Sequence, residues 1–198
     1  HDTVFATVTF ALPDNVEDLC VSTDATVDGS GNELANLLHG GAGGNVLDGR
    51  GGDDTLDGAA GADTLIGGAG NDLYLVDDVG DSVVEAEDEG IDSVQSWVSM
   101  ALPDSVENLQ LLGSAGGTAV GNALDNRIVG SGGDDRLDGG SGADRLEGGY
   151  GTDTYVLRAG GGRDTVDDIP VGSDLAIVEV DAGLRPADIR IEREEEDG

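Results

Sequence analysis

Apolar residues recur every nine positions over two stretches of the chain. Leu47, Leu56, Leu65 and Tyr74 form the first series, and Leu137, Leu146 and Tyr155 the second. Each is read as the middle of a three-residue strand, its side chain inward and its neighbours outward. The six residues before each strand must turn the chain sharply. A fixed short period implies coils stacked on copies of themselves. A different pattern precedes each series. Val4, Ala6, Val8, Phe10 and Leu12 alternate with Thr3, Phe5, Thr7, Thr9 and Ala11, and Val94, Ser96, Val98, Met100 and Leu102 hold the matching places further on. A period of two predicts strand. Pro13 and Pro103 then predict turns, after which Val16/Val106 and Leu19/Leu109 return to the core. The predicted fold is all-β: a parallel β-roll or β-solenoid of stacked glycine-rich nonapeptide half-turns.

The polar positions keep the same register. Units starting at Gly49, Gly58, Gly67, Gly130, Gly139 and Gly148 read Gly-Gly-x-Gly-x-Asp-x-apolar-x, with a few glycines replaced. The unit from Gly40 has Asn45 at the aspartate position, and degenerate units from Gly31 and Gly121 have Asn36 and Asn126. A longer repeat encloses the short one. Ala11-Leu-Pro-Asp-Asn-Val-Glu-Asp-Leu19 matches Ala101-Leu-Pro-Asp-Ser-Val-Glu-Asn-Leu109, an offset of 90 that persists to Asp63/Asp153. Tyr74 and Tyr155 align at 81, so the first copy holds one additional nonapeptide. The expected organisation is strand-rich wide coils at 1–30, a repeat block at 31–76, strand-rich connecting coils at 77–120, a second block at 121–157 and a post-repeat β segment at 158–198. His1 aligns inside the longer unit and the end is abrupt, which suggests a piece of a longer protein.

Composition narrows the chemistry. The 198 residues carry 42 acids against nine basic residues, all arginine, for a formal net charge of -33. That balance argues against nucleic acid or an anionic membrane as partner and favours cations. No apolar run is long enough to span a membrane, and no signal peptide begins the chain. High charge with few aromatics also describes a disordered chain. Strict register argues against permanent disorder, so disorder without metal and order with it is expected. The single cysteine, Cys20, is read as a small buried residue beside Val21. His39 and the acids Glu85, Glu87, Asp88 and Glu89 are read as solvated surface, and Trp97 as partly packed.

Two nonapeptides complete a coil, so turns 18 residues apart stack on the same side. Parallel strands lie about 4.8 Å apart, which crowds the sixth-position carboxylates. Unscreened, that column opposes folding. Calcium takes about six to eight oxygen ligands and tolerates irregular geometry, whereas magnesium demands a tight octahedron. Zinc would want His or Cys, which are nearly absent. The glycine- and aspartate-rich pattern resembles the RTX family of bacterial secreted proteins, whose nonapeptides bind calcium. The resemblance implies specific ligands. Asp54 pairs with Asp72, with carbonyls from Arg50, Gly52, Gly67 and Ala69. Asp135 pairs with Asp153, with carbonyls from Ser131, Gly133, Gly148 and Tyr150. Asn45 pairs with Asp63, with carbonyls from Gly41, Gly43, Gly58 and Ala60, one negative charge short. Asn126 with Asp144, and Asn36 with Asp54, are marginal. Several calcium ions are expected, about three at well-supported sites.

One inward side chain per nonapeptide makes a thin core. It has to offset roughly 1–2 kcal/mol of backbone entropy per ordered residue. Small cores need a staple such as a metal, so metal-binding energy becomes folding energy. The functional expectation is a calcium-binding module of a secreted protein, folding outside the cell. The resemblance implies export by type I secretion. Two alternatives share the fold: a polysaccharide-binding or adhesin module, with Trp97 and Phe5 on its contact surface, or the tail of a secreted hydrolase. No nucleophile elbow, His-Glu-x-x-His or phosphate loop occurs, and no catalysis is expected within this stretch.

Overall fold

The computed structural model of the protein describes residues 1–21, 26–87, 89–167, 176–181 and 183–184. Among these every regular element is a strand, and every strand pairing is parallel. One face of the solenoid is a single ten-stranded sheet from Thr3–Ala6 to Thr165–Asp167. The other face is split. A first five-stranded sheet runs from Phe10–Ala11 to Ser82–Val84, and a second from Met100–Ala101 to Ala176–Val180.

Registers in the nonapeptide blocks confirm the 18-residue coil. Leu38 pairs with Leu56 and Leu56 with Tyr74 in the long sheet, and Leu47 pairs with Leu65 in the first short sheet. In the second copy Ile128 pairs with Leu146 and Leu137 with Tyr155. All of these side chains are fully buried in one continuous core. Their neighbours alternate outward, as in Thr55–Asp57, because successive side chains of a strand leave opposite faces.

The coils between blocks depart from the expected uniform widening. Val4 pairs with Leu19 and Val94 with Leu109, steps of 15 residues. The next steps, Leu19 to Leu38 and Leu109 to Ile128, are 19. A short coil and a slightly long one thus alternate, in both copies alike. The short coil closes through the proline turn, where Asn15 and Ser105 take left-handed φ of 64° and 69°. Val8 is exposed because the chain bends between Thr3–Ala6 and Phe10–Ala11. Cys20 also differs from expectation: it is only partly buried, on the outward side of Asp18–Val21, while Leu19 and Val21 face the core. Strand stacking does not pause at Val76, since Ser82–Val84 continues the first short sheet on Thr64–Ile66. In the post-repeat segment, Ala176–Val180 pairs with Asp153–Leu157; most of 181–191 lies outside the described residues.

Candidate metal centre

The sixth-position residues stand immediately before strands, at the two edges where the chain passes from one face to the other. Asn36, Asp54, Asp72 and Asp92 line one edge in the first copy, and Asn45, Asp63 and Asp81 the other. They are joined by one repeated hydrogen bond, in which a backbone N–H donates to the carboxylate one coil later. The Asp54 N–H donates to Asp72 Oδ1 at 2.7 Å, Asn36 to Asp54 at 2.7 Å, and Asn45 to Asp63 at 2.6 Å. In the second copy Asp135 donates to Asp153 at 2.9 Å and Asn126 to Asp144 at 2.8 Å. Stacking therefore brings together each sixth-position pair that the sequence placed 18 apart.

One carboxylate oxygen of each aspartate is thereby used. The other is not: Oδ2 of Asp54, Asp63, Asp72, Asp92 and Asp144 is buried with no hydrogen-bond partner. A buried, unpartnered carboxylate oxygen is costly unless something positive meets it. The turns are shaped around these atoms. A Cβ on Gly49, Gly58, Gly67 or Gly139 would collide with Oδ2 of Asp54, Asp63, Asp72 or Asp144 respectively. The first glycine of the unit is thus required by close approach, and the fourth by backbone conformation, as at Gly52 and Gly61 with φ of 102° and 134°.

Most of the expected carbonyl ligands face an adjoining turn. A Cβ on Gly49 would lie 2.7 Å from the Gly67 carbonyl oxygen, and Cβ atoms on Gly68 and Gly70 would collide with the carbonyl oxygens of Arg50 and Gly52. The carbonyls of Gly148, Ser131 and Gly133 face Gly130, Gly149 and Gly151 in the same way, and those of Gly58 and Gly43 face Gly40 and Gly61. The Ala69 carbonyl already accepts the Gly52 N–H at 2.8 Å. Tyr150 donates its N–H to Ser131 at 3.4 Å and Gly41 donates its own to Asn45 Oδ1 at 2.8 Å. Ala60 is exposed at its corner. Asp135 differs from its counterparts, because Ser131 fills Oδ2 through both its N–H and its hydroxyl.

The asparagines act differently from the aspartates. Asn36 Nδ2 donates to the carbonyls of Val16 and Glu17 at 3.3 and 3.1 Å, and Asn126 Nδ2 to those of Val106 and Glu107 at 3.2 Å each. Asn45 Nδ2 donates to Val27 at 2.7 Å. Each amide oxygen accepts an N–H of its own turn. An amide NH₂ thus faces the preceding coil at the start of three columns, and the Asn126–Asp144 and Asn45–Asp63 levels hold one carboxylate instead of two.

Burial pushes the Asp54 carboxyl up to about 7, with the charges of Asp72, Asp53 and Asp48 adding and the Asn36 N–H opposing. Burial likewise raises Asp63, Asp72 and Asp144 to about 6, with Asp81, Asp92 and Asp164 as the leading neighbouring charges. Several arginines are engaged elsewhere. Arg127, Arg136 and Arg158 pair with Glu147, Glu179 and Asp138 rather than with the columns. The donor set is all oxygen, flexible in number and net negative, which fits calcium.

Sequence reasoning missed four column members. Asp81 receives the Asp63 N–H at 3.0 Å, Asp92 that of Asp72 at 2.8 Å, and Asp164 that of Asp144 at 3.2 Å. Glu85, expected to be solvated, is partly buried and accepts the Tyr74 hydroxyl. Asp81 keeps the frame, 18 after Asp63, with Val83 in the apolar place; its unit merely lacks the glycines. Asp92 and Asp164 fall 20 after their partners, outside any nonapeptide register. His39 sits half exposed against Asp57 at 2.9 Å, consistent with a surface role.

A parallel β-solenoid with buried acidic columns along its edges defines a metal-binding repeat protein. The family model of the RTX calcium-binding nonapeptide repeat (4 copies) matches residues 30–65, 39–74 and 120–155. These two blocks are RTX calcium-binding nonapeptide repeats, and repeats of this kind bind calcium. No curated protein matches the chain.

Proposed function

We propose that the protein is a calcium-binding module of a secreted protein, which folds when it meets calcium outside the cell. The observation that carries this is the set of unpartnered, buried carboxylate oxygens of Asp54, Asp63, Asp72 and Asp144 in turns whose carbonyl oxygens closely approach the adjoining turn. Asp54 with Asp72, Asp135 with Asp153, and Asn45 with Asp63 would hold the ions, with Arg50, Gly52, Gly67, Ser131, Gly133, Gly148, Gly43 and Gly58 supplying carbonyls. Asn126 with Asp144 is a weaker level. The single-carboxylate levels bind less tightly than the two-carboxylate ones.

Extracellular calcium modules bind at about 10⁻⁴–10⁻³ M. Exported in low cytosolic calcium, the chain would travel unfolded and order on arrival. Circular dichroism during a calcium titration tests this: β-signal is expected to appear cooperatively in that range, and full β-signal in excess chelator would refute it. Glycan recognition has less support. Trp97 and Phe5 are 53% and 74% exposed, but Trp97 lines only a small recess with Ser96, Val98 and Leu111.

A further inference from the structure

The first edge column does not stop with the nonapeptides. Residues 89–92 stack on residues 70–72: Gly70 donates its N–H to the Glu89 carbonyl at 2.8 Å, and Asp72 donates its own to Asp92 Oδ1 at 2.8 Å. The register Tyr74↔Val94 makes this coil 20 residues long instead of 18. Glu85 stands 18 after Gly67, where a nonapeptide would carry its first glycine. The site therefore gains a carboxylate that no nonapeptide level has.

Carboxylate oxygens of Asp72, Glu85 and Asp92, one from each, lie within 4.8 Å of one another. Asp72 and Asp92 are 2% and 1% exposed, and Oδ2 of each is buried without a hydrogen-bond partner. The Asp72 Oδ2 and the Tyr74 hydroxyl lie on the same side of Gly67. A Cβ on Gly67 would collide with both that atom and the Tyr74 hydroxyl, and the Tyr74 hydroxyl donates to Glu85. The phenol thus holds Glu85 turned inward.

We propose that Asp72, Glu85 and Asp92 form a terminal cation site that closes the first column outside the repeats and takes calcium. Three carboxylates give it more negative charge than any nonapeptide level. It is therefore the tightest site of the column and the one that best accepts a trivalent lanthanide, another hard cation satisfied by oxygen. Tyr74 is a positioning residue there. The proposal rests on the reading of the columns as calcium sites, and adds one ion to them.

The test uses the full chain and two probes, calcium by calorimetry and terbium by tyrosine-sensitised luminescence. Glu85→Gln and Asp92→Asn are each expected to remove one calcium from the stoichiometry or weaken it at least about tenfold. Tyr74→Phe is expected to abolish the tightest sensitised terbium component, and His39→Gln, on the surface outside the columns, to leave that component unchanged. Circular dichroism at saturating calcium confirms that each variant is folded. Folded Glu85→Gln and Asp92→Asn that bind as many ions as tightly as the native chain would overturn the terminal site while leaving the columns standing. A native chain that binds no calcium would instead overturn the columns themselves.

Discussion

At the scale of single residues, the aspartate and the glycine five positions earlier act as one device. The missing Cβ of Gly49 leaves room for Asp54 Oδ2 and for the Gly67 carbonyl 2.7 Å away. Gly49→Ala should therefore raise the calcium needed for half-folding several-fold, although its backbone φ is not left-handed. A calcium titration of the variant checks this, and an unchanged midpoint would show the space is spare. The raised carboxyls give a second prediction. Asp54 and Asp72 titrate at about 7 and 6 in the ion-free fold, above the unfolded value of 3.8. The fold then holds more protons than the unfolded chain, so ion-free stability rises as pH falls from about 7 toward about 4. In the calcium-bound fold these carboxyls are ionised, as they are in the unfolded chain, so the calcium midpoint for folding should change little between about pH 8 and pH 6. The β-signal in excess chelator at about pH 8 and pH 5 decides the matter; a signal that does not rise with acid would mean that these carboxyls keep ordinary pKa values.

At the scale of elements, the proline coils carry a device of their own. Asn122 Nδ2 donates to the carbonyls of Pro103 and Val106 at 2.7 Å each, and Asn32 does the same for Pro13 and Val16 at 2.9 and 2.7 Å. Side-chain amides here satisfy carbonyls turned inward by the 15-residue coil. Asn122→Ala should cost about 1–3 kcal/mol, since it leaves the part-buried Pro103 carbonyl unmet and takes one of two donors from Val106. Chemical denaturation at saturating calcium measures it, and a loss below about 0.5 kcal/mol would assign those carbonyls to water. The nonapeptide strands were legible in the sequence because Leu56, Leu65 and their counterparts recur at a fixed interval and nothing else could face inward. The coil lengths of 15 and 19 were not legible, because alternation reveals that a strand exists but not where its neighbour begins. Asn32 and Asn122 were visible as matched positions, yet their role depends on a turn 16 to 19 residues earlier.

At the scale of the whole molecule, the solenoid is continuous along one face and broken along the other, between Ser82–Val84 and Met100–Ala101. The additional nonapeptide in the first copy has a geometric consequence. A single half-coil exchanges faces, so the Tyr74 strand lies in the long sheet while the Tyr155 strand lies in the second short sheet. The sequence showed the missing unit but not this exchange, which follows only once each unit is known to be half a coil. The same logic separates legible from hidden ligands. Asp54, Asp72, Asp135 and Asp153 could be named because they keep an interval of 18. Asp92 and Asp164 could not, because two inserted residues break the count while the stacked strands restore it.

The columns are best tested by anomalous diffraction from crystals grown in calcium. Density peaks are expected between Asp54 and Asp72 and between Asp135 and Asp153, each ringed by carbonyl oxygens of both turns. Well-ordered turns with those carboxylates directed apart and no peak between them would contradict a fold held by ions.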